Sequence, residues 1–299
     1  MKSKIQNPKS KICLAIAGLD PSGGAGIVAD IKTFTAFGCF ATAAVTSVTF
    51  QNTTRVFGAT HQTAETLRGQ VEPIIEDFEI SATKTGMLPT REIIEETARL
   101  VKENELKNLV VDPVARSTSG FDLIDDEALK ILIEKLFPLS DIVTPNLPEA
   151  ERITEMKIEN EKDIEKAAKI MQNLGAKNVL IKGGHFQVKS KKAKGKSEIR
   201  LARDYLFIGK DLRVFEADFI ETTATHGTGC TLASAIAANL ALGKSLIEAV
   251  ETAKRFVTEA IRTAPNLGRG HSPINHSILD FRLISLRNHI GRKTLNFEP

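Results

Sequence analysis

The sequence has no tryptophan, one tyrosine and three cysteines in 299 residues. Without Trp and Tyr it lacks the usual stacking platforms for single-stranded nucleic acid. Its formal net charge of +3 is too small to attract nucleic acid or a membrane surface strongly. An odd number of widely separated cysteines is typical of the reducing cytoplasm rather than of a disulfide framework. We therefore expect a cytoplasmic protein that binds no nucleic acid and no membrane.

Long apolar runs and two common nucleotide-binding motifs are also missing. The first apolar run, residues 12–19, is too short for a signal peptide or a membrane span and predicts a buried strand. The glycine-rich turn at residues 18–26 does not have the order Gly-x-Gly-x-x-Gly, and no Gly-x-x-x-x-Gly-Lys-Ser/Thr segment is present. A P-loop is excluded, and the turn by itself is equally compatible with a plain tight turn.

Short β-branched runs alternate along the chain with helical patterns. The predicted strands are residues 12–17, 43–49, 82–85, 108–112, 141–144 and 178–182. The predicted helices are residues 26–37, 64–77, 90–104, 125–136, 161–174, 229–242 and 246–263. This alternation predicts an α/β fold with a mostly parallel sheet covered by helices on both faces. No break in composition divides the chain into two domains.

Three segments fall outside this rhythm. A lysine-rich stretch, residues 189–196, predicts a solvated loop, and residues 205–208 and 212–215 predict a hairpin behind it. Residues 1–11 form a basic N-terminal tail, and residues 277–299 form a C-terminal extension to which the sequence assigns no role.

Residues 225–230 read Thr-His-Gly-Thr-Gly-Cys and directly precede an apolar helix pattern. Glycines at a helix start leave backbone N–H groups free to face a negative charge, and the helix dipole adds about half a positive charge there. We therefore interpret Gly227 and Gly229 as part of an anion hole. Cys230 has two interpretations: a thiolate that accepts a proton during phosphoryl transfer, or a small buried hydrophobic residue.

Two polar residues near the first two strands are candidates for contacts with a heterocycle. Asp30 stands in an otherwise apolar helix pattern, where an ionised side chain rarely faces a core without a partner. Gln51 ends the second strand and offers both a donor and an acceptor, although a surface glutamine is equally possible. Ligands of open α/β sheets bind outside the carboxyl ends of the strands, where Gln51 is expected.

Acidic and amide side chains follow the later strands. Asp112 ends one strand, and Asn146 and Glu149 stand three residues apart at a proline-marked helix start. These oxygen donors could hold Mg²⁺ through water. The alternative is that Asn146 caps the helix and Glu149 completes its first turn. Lys182 adds a cation at the same edge of the predicted sheet.

The motifs that follow the strands occur in a fixed order. They are residues 18–30, 51–53, 86–88, 112–114, 144–149, 182–185 and 225–231. Each is unspecific by itself, but together, over about residues 12–276, they resemble the hydroxymethylpyrimidine/phosphomethylpyrimidine kinases of thiamine biosynthesis, in the ribokinase superfamily.

This resemblance implies a ribokinase-like three-layer fold, a single kinase domain over residues 1–276, ATP and Mg²⁺ as cofactors, and a homodimer. It implies phosphorylation of 4-amino-5-hydroxymethyl-2-methylpyrimidine to its monophosphate, and of the monophosphate to the diphosphate. The implied pyrimidine pocket consists of Gly18, Asp30, Gln51, Met87 and Val114. The implied catalytic groups are Cys230 as the base and Gly227 and Gly229 as the anion hole. The implied nucleotide site consists of Asp112, Asn146, Glu149, Lys182 and Thr225, with the first three at Mg²⁺.

The sequence departs from this family at two positions. Family members frequently carry a lysine in the segment after Asp-Pro-Val, where this chain has Arg116, and an asparagine before Thr-His-Gly-Thr-Gly, where it has Ala224. If that lysine holds the first phosphate during the second transfer, Arg116 could replace it. Two other functions remain open: a vitamin B6 (pyridoxal or pyridoxine) kinase, and a non-catalytic sensor of the pyrimidine.

Overall fold

The computed structural model describes residues 10–117, 120–191 and 198–278. The strands are β1 (Ile12–Leu19), β2 (Phe40–Gln51), β3 (Val56–His61), β4 (Ile80–Thr85), β5 (Leu109–Val111), β6 (Ile142–Val143), β7 (Asn178–Lys191), β8 (Glu198–Ile208) and β9 (Asp211–Asp218). The helices are α1 (Gly26–Ala36), α2 (Ala64–Asp77), α3 (Arg91–Glu103), α4 (Asp126–Leu136), α5 (Leu147–Thr154), α6 (Glu161–Asn173), α7 (Thr228–Ala241) and α8 (Leu246–Arg262), with a 3₁₀ turn at Phe137–Leu139.

One nine-stranded sheet runs through the described residues in the order β3-β2-β1-β4-β5-β6-β7-β8-β9. The strands from β2 to β7 are parallel, whereas β3 pairs antiparallel with β2, and β8 and β9 continue antiparallel from β7. From β1 the chain first adds β2 and β3 on one side, and then crosses to the other side of β1, where it adds β4 and the later strands. The strand order therefore reverses at β1. Such a switch point opens a crevice at the carboxyl ends of the strands.

The predicted three layers are confirmed, because alternate residues of each central strand enter opposite cores. In β1, Leu14 and Ile16 pack with α2 to α6, while Cys13, Ala15 and Ala17 pack with α1, α7 and α8. Burial of both faces explains why the parallel strands lack a polar alternation. Several helices begin at side-chain caps: Thr63, Thr90, Asp125, Asn160 and Ser245.

The structure differs from the sequence-based expectation at the two ends of the sheet. The edge strand β3 was not predicted because its residues are largely exposed and show no apolar run. The predicted hairpin is present but longer, and β7 reaches Lys191, so the first lysines of the expected loop belong to a strand. The rest of that loop, residues 192–197, and most of both predicted tails, residues 1–9 and 279–299, lie outside the described residues. Within the described part of the chain, no helix is long and apolar enough to cross a membrane.

Candidate active site

A cavity of about 1030 Å³ opens at the carboxyl ends of the parallel strands. The residues expected at the site that line it are Gly18, Gln51, Met87, Asp112, Val114, Asn146, Glu149, Lys182, Thr225, Gly227, Gly229 and Cys230. Asp30 is the expected residue that does not line it. The ends of the strands and the start of α7 therefore place nearly all of the expected site residues around the same cavity.

The start of α7 has the backbone geometry of an anion hole. Gly227 precedes the helix with φ +81° and ψ 5°, and no side chain caps the first turn. A Cβ atom at Gly227 would lie 1.8 Å from the carbonyl oxygen of Gly24, so only glycine fits there. The uncapped N–H groups of the first turn lie at the cavity wall, where the helix dipole also favours an anion.

Asp20, which the sequence analysis did not single out, joins this helix start to the glycine-rich turn after β1. Its Oδ2 lies 2.7 Å from His226 Nε2 and accepts a hydrogen bond from the N–H of Ala25 at 2.9 Å, while its Oδ1 accepts from the N–H of Ser22 at 2.8 Å. Burial alone would raise the pKa of Asp20, but hydrogen bonds from His226, Gln51 and Ser22 bring it below its ordinary value. The signal available in the sequence was an aspartate directly before a Pro-Ser-Gly-Gly turn.

Cys230 lies in the first turn of α7, half-buried at the cavity wall. Burial raises the pKa of its thiol to about 11, although Lys84 and a hydrogen bond from the N–H of Gly26 act in the opposite direction. In the resting protein, burial of Cys230 thus opposes the thiolate more strongly than the nearby cation and the N–H of Gly26 favour it. These contributions favour the thiol as the resting form.

The structure does not support the expected contact of Asp30 with a pyrimidine. Asp30 is fully buried, and both of its oxygens accept hydrogen bonds at 2.9 Å from Lys84 Nζ, which is also fully buried. Its Oδ1 also accepts from Ser234 Oγ at 2.6 Å. The apolar helix pattern around Asp30 thus indicated a buried partner rather than a ligand. Lys84, inside β4, was missed because the sequence does not show which face of the strand meets α1.

Lys182 connects the acidic residues that lie beside the start of α7, where a Cβ atom at Gly229 would lie 3.2 Å from Lys182 Nζ and 3.9 Å from Asp112 Oδ2. Its Nζ donates to Asp112 Oδ1 at 2.8 Å and lies 4.0 Å from Glu149 Oε2. Thr144 Oγ1 donates to the same Asp112 oxygen at 3.0 Å. Burial and the charge of Asp112 raise the pKa of Glu149 to about 7, despite the opposing charge of Lys182.

Asn146 and Glu149 form a capping box at the start of α5. Asn146 Oδ1 accepts from the N–H of Glu149 at 2.8 Å, and Glu149 Oε2 accepts from the N–H of Asn146 at 2.8 Å. The alternative interpretation, in which Asn146 caps the helix and Glu149 completes its first turn, is therefore correct. No group of three or more His, Cys, Asp or Glu side chains in metal-binding geometry occurs among the described residues. The oxygen atoms of Asp112 and Glu149 nevertheless lie at the cavity wall, and they fit Mg²⁺ bound through water better than Mg²⁺ bound directly.

Gly18, Gln51, Met87 and Val114 line another part of the cavity, which we call the Met87 end. A Cβ atom at Gly18 would lie 2.9 Å from Met87 Sδ, so a larger residue at this position would displace the methionine. Met87 is held in place by its carbonyl oxygen, which accepts from Thr46 Oγ1 at 2.6 Å. Gln51 and Val114 complete this end, which combines apolar side chains with one amide. Such a combination is common in sites that bind small molecules.

His276 lies under the first turn of α7, where its Nε2 is 2.9 Å from Thr231 Oγ1. Burial, together with the charges of Lys32 and His226, lowers its pKa from 6.5 to about 4. Between these two pH values the unfolded chain therefore binds more protons than the folded protein at this residue. We expect the contribution of His276 to reduce the free energy of unfolding by up to about 3 kcal/mol as the pH falls through this range.

The measurement is urea denaturation at pH 7.5, 6, 5 and 4.5 for the wild type and for His276→Gln. Because glutamine does not titrate, the difference in unfolding free energy between the two proteins should change with pH in favour of the variant at low pH. Parallel pH dependences would contradict this role for His276.

Comparisons with known proteins agree with this geometry. Residues 20–275 match the family model described as phosphomethylpyrimidine kinase. The hydroxymethylpyrimidine/phosphomethylpyrimidine kinase of Haemophilus influenzae is 43% identical over 268 residues, which are 89% of this chain and 96% of the relative.

Two solved structures extend the comparison. A phosphomethylpyrimidine kinase from Clostridium difficile 630 is 41% identical, with a TM-score of 0.71 over 84% of this chain and 100% of that one. A Bacillus subtilis pyridoxal kinase, solved as an ADP complex, is 38% identical, with a TM-score of 0.78 over 90% of this chain and 98% of that one. The expected ribokinase-like α/β fold is confirmed. The chain belongs to the phosphomethylpyrimidine kinase family and is a kinase.

Proposed function

We propose that this protein transfers the terminal phosphoryl group of ATP to the hydroxymethyl group of 4-amino-5-hydroxymethyl-2-methylpyrimidine, and then phosphorylates the monophosphate, in thiamine biosynthesis. One observation carries this proposal: the anion hole at Gly227 and Gly229 and the Met87 end, with Gly18, Gln51 and Met87, line the same cavity. The Haemophilus influenzae relative, which is 43% identical over 89% of this chain, is named for these two phosphorylation reactions.

In this proposal the pyrimidine lies at the Met87 end. Gln51 hydrogen-bonds the edge of the ring, while Met87 and Val114 contact its faces and Gly18 leaves room for it. The hydroxymethyl group then points to the start of α7, where Cys230 lies. This placement gives the acceptor oxygen a nearby sulfur and nearby backbone N–H groups.

The phosphates of ATP lie against the start of α7 and the acidic residues beside it. The N–H groups at Gly227 and Gly229 stabilise charge on the transferring phosphoryl group, and Lys182 supplies a cation next to Gly229. Asp112 and Glu149 would hold Mg²⁺ through water, with Asn146 keeping Glu149 in position. Bound there, Mg²⁺ would neutralise negative charge on the phosphates of the donor.

Cys230 takes the proton of the hydroxymethyl group as the new O–P bond forms. The P–O bond to ADP breaks in the same step, and its electron pair remains on ADP. Because the resting group is a thiol with a pKa of about 11, only a small fraction is ready to act as a base at neutral pH. The rate of transfer should therefore increase with pH above neutrality.

A second transfer needs a cation for the phosphate already on the substrate. Arg116 lines the cavity, and its Nε donates to Asp122 Oδ1 at 2.8 Å. Both side chains are more than half exposed, so this pair is weak and can open. Arg116 is therefore our proposed contact for the phosphate of the monophosphate. A single kinase domain over residues 1–276, a homodimer and a cytoplasmic location are further parts of the proposal.

The similarity to a pyridoxal kinase makes pyridoxal the second candidate acceptor. Purified protein should be incubated with Mg-ATP and either the hydroxymethylpyrimidine or pyridoxal, and the products identified by mass spectrometry. We expect the monophosphate and then the diphosphate of the pyrimidine, with a kcat/KM well above that for pyridoxal. A preference for pyridoxal would reassign the acceptor, and tight pyrimidine binding without any transfer would identify a sensor.

A further inference from the structure

A fully buried ion pair lies outside the cavity but directly behind its catalytic helix start. Lys84 on β4 and Asp30 on α1 are each 0% exposed, with Nζ 2.9 Å from both carboxylate oxygens. Removing two charges from water costs several kcal/mol per ion, and two apolar residues of the same shape often stabilise a protein as well or better. Because stability alone does not account for this buried pair, its position behind the cavity suggests another role.

Ser234, which hydrogen-bonds to Asp30, connects the ion pair to the helix that carries Cys230. Ser234 Oγ donates to Asp30 Oδ1 at 2.6 Å, and Ser234 and Cys230 stand four residues apart on α7. Residues with this spacing lie on the same face of a helix, one turn apart. Cys230 therefore lies one turn closer to the cavity on the face of α7 that meets the ion pair.

The ammonium end of the pair lies beside the residue that follows β4. A Cβ atom at Gly86, the residue after β4, would lie 2.8 Å from Lys84 Nζ. The amine therefore lies at the carboxyl end of β4, the edge of the sheet where the cavity opens, although Lys84 does not line the cavity. Burial alone would lower the pKa of Lys84, but the charge of Asp30 raises it above the ordinary value, while burial raises the pKa of Asp30.

We propose that the buried pair of Lys84 and Asp30 is a positioning element that holds a fixed positive charge behind the Cys230 sulfur, so that the sulfur can receive the hydroxymethyl proton during transfer. This role rests on the proposed function of Cys230 as the base. Asp30 and Ser234 fix the amine, and the amine stabilises the negative sulfur. Neither Lys84 nor Asp30 touches the substrate.

Four charged groups face Cys230 from the elements around it. They are Lys84 on β4, Asp30 on α1, Asp112 after β5 and Lys182 on β7. The two carboxylates raise the pKa of the thiol, and Lys84 is the largest influence that lowers it. Because Asp112 and Lys182 already pair with each other, Lys84 is the cation whose removal should change the thiol most.

The test measures the thiol directly. Cys230 is alkylated with iodoacetamide between pH 7 and 10, and modification is quantified on the Cys230 peptide by mass spectrometry. Cys13 and Cys39 are buried and their peptides serve as internal references. The variants are Lys84→Met and the double variant Lys84→Met/Asp30→Asn, which avoids leaving an unpaired buried carboxylate. Lys177→Met is the matched control, since that lysine is 70% exposed and lies before the amino end of β7.

We expect alkylation of Cys230 to be about 10-fold slower at a given pH in Lys84→Met, which corresponds to a shift of about one pH unit. The double variant should change in the same direction by less, because the repulsive carboxylate is also removed. In both, kcat should decrease while the KM values for ATP and the pyrimidine stay within about 3-fold. Lys177→Met should behave like the wild type.

Unchanged alkylation profiles in the folded double variant would overturn the proposal, and so would a loss of activity confined to KM. The outcome is separable from that of the proposed function. If the wild-type protein transfers nothing to the pyrimidine, the proposed function fails, yet the alkylation profiles still decide whether Lys84 acts on Cys230.

Discussion

Cys230→Ala should lower kcat by about 10²-fold or more, with little change in KM. The expected size follows from the role of the sulfur, which takes a proton only while the O–P bond forms. Steady-state rates with Mg-ATP and the hydroxymethylpyrimidine give kcat and KM. The pH profile gives a second readout: the rate of the wild type should increase from pH 7 to 10, because the thiol pKa is about 11. That increase should be absent in the variant.

Cys39→Ala is the matched control for this experiment. Cys39 is a buried cysteine that packs in the core between the sheet and α7, away from the cavity lining. We expect its removal to reduce stability slightly and to leave kcat unchanged. If Cys230→Ala keeps the wild-type rate and pH profile, Cys230 is a packing residue, and another group must accept the proton.

Gly227→Ala should reduce kcat/KM by about 10²-fold or more and weaken the binding of ADP. The added methyl group would overlap the carbonyl oxygen of Gly24 at 1.8 Å, so the helix start or the glycine-rich turn has to move. Either movement takes the N–H groups away from the phosphoryl group. The left-handed backbone adds strain of about 1–2 kcal/mol for a non-glycine residue. Calorimetry with ADP, steady-state kinetics and thermal unfolding measure the three effects.

Gly243→Ala separates backbone strain from the steric overlap. Gly243 has φ +83°, almost the value of Gly227, but a Cβ atom there meets no atom within 4 Å. This variant should lose a similar amount of stability from the backbone alone and retain full activity. Equal activity losses in both variants would show that strain, rather than displacement of the anion hole, causes the effect at Gly227.

The sequence predicted the central part of the fold well because its strands are buried on both faces. Runs such as those of β1 and β5 are apolar without interruption, and the helices between them have clear apolar periods. The edge strand β3 has no such pattern, because its side chains face solvent and its position depends on pairing with β2. The reach of β7 to Lys191 likewise depends on pairing with β8 rather than on its own residues.

The sequence predicted which residues line the site where those residues follow a strand. It predicted less well the chemical state of residues whose surroundings come from distant parts of the chain. Gln51 and Asp112 line the cavity because parallel strands end at the same edge. Lys182 lines it as well, although it lies within β7, which continues to Lys191. The state of Cys230 could not be read from its place at a helix start, since burial raises its pKa more than nearby charges lower it. The prediction that Asp30 contacts the pyrimidine failed for a related reason. Its buried partner Lys84 comes 54 positions later in the chain, so the sequence around Asp30 does not reveal the ion pair.

The contact between Asp20 and His226 joins positions 206 residues apart. During synthesis, the turn after β1 emerges early, yet its aspartate has no imidazole to contact until the segment before α7 has left the ribosome. Contacts of such long sequence separation generally form late in folding. The contact that joins the glycine-rich turn to the start of α7 can therefore form only after the segment around His226 has been synthesised. If the proposed anion hole is correct, its ability to bind a phosphate is one of the last properties that the folding chain acquires.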